Sequence, residues 1–561
     1  MRLITSCPQI VVGASRRWLG GALLVVLCAA EPAKAAPEVQ SFFPPGGQRG
    51  QTVEVTAAGK FPQWPVHFWA DRPGLAIRAL EKSGTLAVQI AADTPPDVYW
   101  LRLFDDSGAS APQPFVVGTL PEQVEAEPND ALDKAQPVAL HEAPSRASVV
   151  NGRLNKNGDV DVYQVSVEAG QTIVADIDAN AILRSPVDAV LQVVSADGFV
   201  LAQNDDQHGI DPRIAVTIPA SGTWYVRVFG FPAVANQSIS LDGDDAYNYR
   251  LMVCTGPCVD YTLPLALARE GTQAIELHGW NLPPQLTRLN LSAPSATDQL
   301  LEWPGVAAVL RLPVVEHASL VALPQSAEAS SVNLSVALPF TATGRIAAPR
   351  QHDVFTLGVK QGEIVVAKVE SRSLGFDLDP VLELLDASGN QLARVDDVGE
   401  SRDAELVHAV AADSDLQLAV SDLHNGTGPR FVYRLTAVRG RPDFALSLDT
   451  HQLIVAPGAT MELPVNVERQ HAFAEPITIA IENLPTGLHV EPAVSQAADD
   501  SAKRVILKVT ADASAAKVSA PIRVTGRAGD QPARTAKITA GAHGVQPLDP
   551  WLTVSAAEAK P

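Results

Sequence analysis

The chain has 561 residues, 46% of them hydrophobic and 19% charged, and a formal net charge of −21. At ~150 residues per domain the length calls for several domains, and the apolar content excludes a chain that is disordered throughout. The acidity excludes nucleic acid and anionic membrane surfaces as favourable partners, and it suits an exported soluble protein or one that takes up cations.

Residues 1–35 read as an address. Arg16 and Arg17 precede the apolar run from Leu19 to Ala30, which is shorter than the ~20 residues that span a bilayer. Ala33-Lys34-Ala35 then fits a small-residue cleavage site. This is the pattern of a secretory signal peptide; an uncleaved membrane anchor is the other reading of the same residues. Leu27 precedes Cys28 where a lipoprotein signal wants a small residue, so lipid attachment is discounted. Arg2, Arg16, Arg17 and Lys34 stand against Glu31 here, which leaves the remainder at −24.

Residues 37–118 open with a glycine turn at Gly46-Gly47 and a strand from Thr52 to Val55, predicting a small immunoglobulin-like module, termed A. Its aromatic cluster runs from Phe61 to Trp69. Core packing accounts for Trp69, whereas Trp64, close to two prolines, is the better surface candidate for binding a sugar or peptide. Residues 122–254 form a second kind of module, B. Tyr163, Val165 and Val167 alternate on one face of one strand, and Trp224, Val226 and Val228 on one face of another; period two with β-branched and aromatic residues is the strand signal. Cys254 and Cys258 follow in a C-x3-C spacing around Gly256-Pro257. No other Cys or His lies within ten residues of the pair, so a zinc site lacks ligands, and a thiol redox motif has a different spacing. A structural disulfide between them suits an exported protein; two free thiols are the alternative.

Residues 259–337 repeat the A pattern, with Arg269-Glu270-Gly271, a strand from Ala274 to Leu277, and Gly279-Trp280-Asn281. Residues 338–438 repeat B. Gly152 matches Gly344, Asp161 matches Asp353 and Gly170 matches Gly362, all at an offset of 192, while Asp205-Asp206 matches Asp396-Asp397 at 191. One offset held across so long a stretch marks a duplication. Residues 443–540, with strand runs Leu463–Val467 and Ile477–Ile481, read as a further immunoglobulin-like sandwich, and 541–561 as a loose tail. The expected fold class is all-β, as tandem jelly-roll-like and immunoglobulin-like β-sandwiches.

The first B copy carries Glu125-Ala126-Glu127-Pro128-Asn129-Asp130, then Gly158-Asp159-Val160-Asp161-Val162-Tyr163, Asn204-Asp205-Asp206 and Tyr249. In this order it resembles the bacterial pre-peptidase C-terminal domain, which is similar in fold to the collagen-binding domains of bacterial collagenases. The resemblance covers 122–253 well and 338–438 more weakly. The A modules resemble the IPT/TIG immunoglobulin-like family, and 443–540 resembles bacterial Ig-like accessory domains. Such domains sit beside secreted peptidases, yet no G-x-S-x-G, H-E-x-x-H or other peptidase signature occurs. The expectation is a protein that is not an enzyme.

Calcium is the cofactor these residues suggest. The ion takes ~6–8 oxygen ligands, and Glu125, Glu127, Asn129 and Asp130 offer four side chains within six residues. In the resembled family calcium binds between this acidic segment and the D-x-D turn. Carried over, the ligands are Glu125, Glu127, Asn129, Asp130, Asp159 and Asp161; the alternative is an acidic linker followed by a solvated turn. The second copy lacks the acidic motif and has Gln351 and Asp353 where the first has two aspartates, so it is expected to bind no ion. Asp176-Ile177-Asp178 starts like an EF-hand loop but lacks its glycine and its terminal glutamate. The functional expectation is an exported non-catalytic binding or scaffold protein of the bacterial envelope or exterior. Modules in series would span distance and present loops to an extracellular protein or polysaccharide, with no membrane span after signal removal. The alternative is an accessory, or a degenerate member, of a secreted peptidase group.

Overall fold

A computed structural model of the chain describes residues 35–555, except 235–239, 294–295, 325–330, 400 and 540–547; all but the last residue of the expected signal peptide lies outside the described residues. The chain is built from strands, with one four-residue helical turn, Asn180–Leu183, and a few 3-10 turns among the described residues. This is what short period-two runs broken by glycine and proline dictate.

The first module pairs a sheet ordered Glu38–Phe43, Thr52–Lys60, Thr85–Ile90, Leu75–Ala79 with a second centred on Asp97–Asp105. Val55, Leu86, Tyr99 and Phe115 fill the space between them. The next module is a sandwich of two five-stranded sheets. One runs Glu122–Val124, Ala147–Arg153, Asn248–Cys254, Thr172–Asp178, Arg213–Thr217. The other runs Gln136–Pro137, Asp161–Val167, Gly222–Pro232, Val187–Val194, Val200–Asn204.

The fourth module repeats this topology strand for strand, its sheets ordered Ala318–Ala322, Phe340–Arg345, Val432–Arg439, Ile364–Glu370, Ala404–Ala409 and Asn333–Ser335, Asp353–Val359, Ser414–Asp422, Pro380–Asp386, Gln391–Val395. The duplication extends to details. Tyr249 lies opposite Gly152 and Tyr433 opposite Gly344 in the same register. A methyl group at either glycine would meet its tyrosine ring at 2.2 Å, so only glycine admits the ring. A buried aspartate caps a helical turn in each copy: Asp211 accepts the N–H groups of Ala179, Asn180 and Ala181, and Asp403 those of Ser371, Arg372 and Ser373.

Two boundaries differ from the sequence reading. Ala318–Ala322 and Asn333–Ser335, assigned above to the second A module, pair with strands of the second B copy instead. They are short and carry none of the acidic residues that mark the matching segment of the first copy. The tail is also partly ordered. Trp551–Val554 pairs with Gln452–Val455 and Val518–Pro521, and Trp551 is fully buried; an indole needs such a partner surface wherever it falls in the chain.

The modules do not extend in a line. Trp551 of the fifth module packs edge-on against Trp69 and at 4.9 Å from Phe104 of the first. Between them Arg102 donates to His451 Nδ1 at 3.3 Å. The two B copies meet across the third module: Asp260 accepts from Arg213 of the first copy and from Arg430 of the second, and all three side chains are largely buried. Trp64 is not a free surface aromatic. Its indole N–H donates to Leu80 O at 2.8 Å and its ring meets Phe61 edge-on. Cys254 and Cys258, expected to form a disulfide, are two buried free thiols at the junction of the second and third modules. They sit among Ala147, Val174 and Ala307, where a thiol serves as a small apolar group.

Candidate metal centre

The acidic segment and the D-x-D turn meet at one end of the first B module. Backbone pairing brings them together: Val162 N–H donates to Asn129 O at 3.1 Å, tying the segment to the start of the strand Asp161–Val167. Carboxylate oxygens of Glu127, Asp159 and Asp161 then lie within 4.8 Å of one another. Asp159 and Asp161 are fully buried, as is Asn129, whereas Glu127 is exposed. The Asn129 side chain hydrogen-bonds Asp161. Glu125 lies against the cluster and accepts the Arg153 N–H at 2.7 Å. Asp130 stands at the exposed rim and is reached only through Lys156, whose Nζ is 3.5 Å from both Asp130 and Asp159.

The partners of these groups leave a charge deficit. Asp159 Oδ2 accepts the Asn155 N–H at 2.7 Å, while Oδ1 is buried without a hydrogen bond. Asp161 accepts the Tyr249 hydroxyl, which also bonds to Tyr163 at 2.6 Å. Burial, reinforced by the charge of Asp161, pushes Glu125 up to about 9. Burial, with Asp159 and Glu127 adding to it, pushes Asp161 up to about 8. Like charges gathered away from water favour a proton or a cation. Lys156 supplies one positive charge from outside, on a side chain that is more than half exposed. A divalent ion fits this donor set: hard oxygens, two buried carboxylates with one unsatisfied oxygen, and a third carboxylate from the facing segment.

The second copy shows the same frame with the charge removed. Val354 N–H donates to Val332 O, so Val332 occupies the position of Asn129. Gln351 replaces Asp159. Its Oε1 accepts from Ala347 N–H at 2.8 Å, as Asp159 accepts from Asn155, and its Nε2 donates to Asp353 at 2.8 Å. Tyr433 holds Asp353 as Tyr249 holds Asp161. The amide thus supplies internally what the facing carboxylates of the first copy would obtain from a proton or a cation.

Of the six sequence-predicted ligands, Glu127, Asp159 and Asp161 converge, Asn129 and Glu125 flank them, and Asp130 lies outside the convergence. Sequence reasoning missed Lys156 and the Tyr249–Tyr163 pair; the near-identical tyrosine position in both copies was the available signal for the second. Asp176 and Asp178 lie in a strand, not a metal loop, with Asp176 paired to Arg213 at 2.6 Å. Among the described residues, Ser145 Oγ approaches His141 Nδ1 at 3.3 Å, but the same nitrogen faces the Glu142 carbonyl at 3.1 Å, an arrangement ill-suited to a base that activates a nucleophile.

Residues 159–230 match the family model described as the bacterial pre-peptidase C-terminal domain. A probable subtilase-type serine protease of Deinococcus radiodurans is 32% identical over 120 residues, covering 21% of this chain and 15% of the relative. The chain therefore spans a small part of that relative's length. Among solved structures, the pre-peptidase C-terminal domain of a collagenase from Bacillus anthracis is 19% identical and covers 20% of this chain and 98% of its own, with a TM-score of 0.17. PliG of Aeromonas hydrophila, a periplasmic inhibitor of g-type lysozyme, is 18% identical over 24% of this chain and 97% of its own, also with a TM-score of 0.17. No helix among the described residues is long and apolar enough to cross a membrane.

Proposed function

We propose, for a chain that carries a bacterial pre-peptidase C-terminal domain at 159–230, that it is an exported, non-catalytic binding or scaffold protein. Its first B module is held in shape by one calcium ion. Glu127, Asp159 and Asp161 are the central ligands; Asn129, Glu125 and Asp130 complete or surround the sphere. The observation that carries this reading is the contrast between the copies: two buried carboxylates face each other in one, and an amide and a carboxylate in the other.

The ion would act at a module boundary. Arg153, whose N–H binds Glu125, lays its guanidinium over Phe43 of the first module at 4.6 Å from the ring centre. Asn248 donates to Phe42 O across the same boundary. Ordering the acidic segment therefore steadies the first A module on the first B copy. The partner is an extracellular protein or polysaccharide, recognised on loops that this scaffold holds in fixed relation. An accessory role beside a secreted peptidase is the second reading, favoured by the similarity to a probable subtilase.

Thermal unfolding of the full chain with calcium and with chelator tests the proposal. Calcium should raise one transition, and Asp159→Asn/Asp161→Asn should abolish that rise. Identical traces in both conditions would overturn it.

A further inference from the structure

The first three modules border a half-open cavity of about 380 Å3, within the range of small-molecule sites. Leu120, Met252, Trp280 and Leu310 supply apolar wall, and Asp176 and Asp178 lie on the wall given by the first B copy. Arginines also reach it, but their terminal nitrogens are committed. Arg213 gives one Nη to Asp176 at 2.6 Å and the other to Asp260 at 2.8 Å. Arg250 gives both to Glu122, at 2.7 and 2.8 Å, and shares one with Asn151. Arg311 is bound by Asp97 and Asp298.

The acceptors are not committed in the same way. Asp176 Oδ1 is buried with no hydrogen-bond partner. The Asp178 carboxylate makes no hydrogen bond to any described residue; Arg250 attracts it but turns its N–H groups elsewhere. The two aspartates alternate along one strand and so share a face. Burial, reinforced by the charge of Asp176, pushes Asp178 up to about 7. The cavity therefore offers spare acceptors beside an aromatic and a thioether, while the terminal nitrogens of those three arginines are held by carboxylates and Arg213 Nε is buried without a partner.

We propose that this three-module cavity binds a small organic cation, a primary ammonium on an apolar body, with the ammonium on Asp178 and Asp176 and the body against Trp280 and Met252. This site is separate from the calcium ligands and does not rest on them. The test is isothermal titration calorimetry of the full chain with 2-phenylethylamine, 3-phenylpropan-1-ol and 3-phenylpropanoate. The amine should bind at least about tenfold more tightly than the alcohol, as expected for a charge-assisted contact, and the acid should not bind. Asp178→Asn should remove that preference, and Met252→Phe, which fills the space, should weaken all binding. No heat with the amine, equal affinity for amine and alcohol, or a folded Asp178→Asn that keeps the preference would each overturn the proposal. The amine and alcohol comparison is made on the unmodified protein and stands even if a variant fails to fold.

Discussion

Exchanging Asp159 and Gln351 between the two B copies should destabilise the second copy and free the first from its dependence on calcium. Gln351 is 1% exposed and Asp353 is fully buried, and the amide donates to Asp353 at 2.8 Å. Gln351→Asp removes a hydrogen bond to a charged group, worth about 1.5–3 kcal/mol. It also leaves a second buried carboxylate without a counter-charge, which brings the total to about 3–5 kcal/mol. For a module of this size that lowers the unfolding midpoint by roughly 10–20 °C. Asp159→Gln does the reverse in the first copy. The new amide donates to Asp161, so the chelated protein gains stability and calcium no longer shifts the transition. Differential scanning calorimetry of both full-length variants, with calcium and with chelator, resolves the two effects. A Gln351→Asp protein as stable as the parent in chelator, or an Asp159→Gln protein with an undiminished calcium response, would refute the electrostatic reasoning.

Three further outcomes follow from the same geometry. In chelator, the folded first copy holds protons on Glu125 and Asp161 up to about 9 and about 8, while unfolded carboxyls release theirs near ~4. Stability should therefore fall as pH rises across that window and level off above it, and calcium should flatten the slope; unfolding midpoints at several pH values check this. Gly152→Ala forces a methyl group into the Tyr249 ring and should cost about 1–3 kcal/mol, read as a lower midpoint of the first B copy that calcium only partly restores. Trp551→Ala should destabilise the fifth module by about 3–5 kcal/mol and release it from Trp69 and Phe104, seen as a larger radius of gyration in small-angle scattering.

The strand content and the duplication were legible because both are written in local pattern: alternation, glycine turns and one offset held along the chain. The central acidic triad was legible for the same reason, since its two clusters are dense. What was not legible depends on pairing between distant segments. Asn129 corresponds to Val332 through a backbone hydrogen bond rather than through the offset of 192 that relates Asp159 to Gln351; the segment between them differs in length, so the match is invisible by alignment of motifs. Trp551 returning to the first module, and Trp64 bonding to Leu80 O, likewise depend on which loops meet. The cavity among three modules has no sequence signature, because its two aspartates stand out in sequence only as the start of an incomplete EF-hand loop.

The most direct measurement is the stoichiometry of calcium on the metal-stripped full chain, by titration calorimetry. The contrast between Asp159–Asp161 and Gln351–Asp353 predicts one ion per chain, with the heat lost in Asp159→Gln and kept in Gln351→Asn. Two ions per chain, or none, would contradict it.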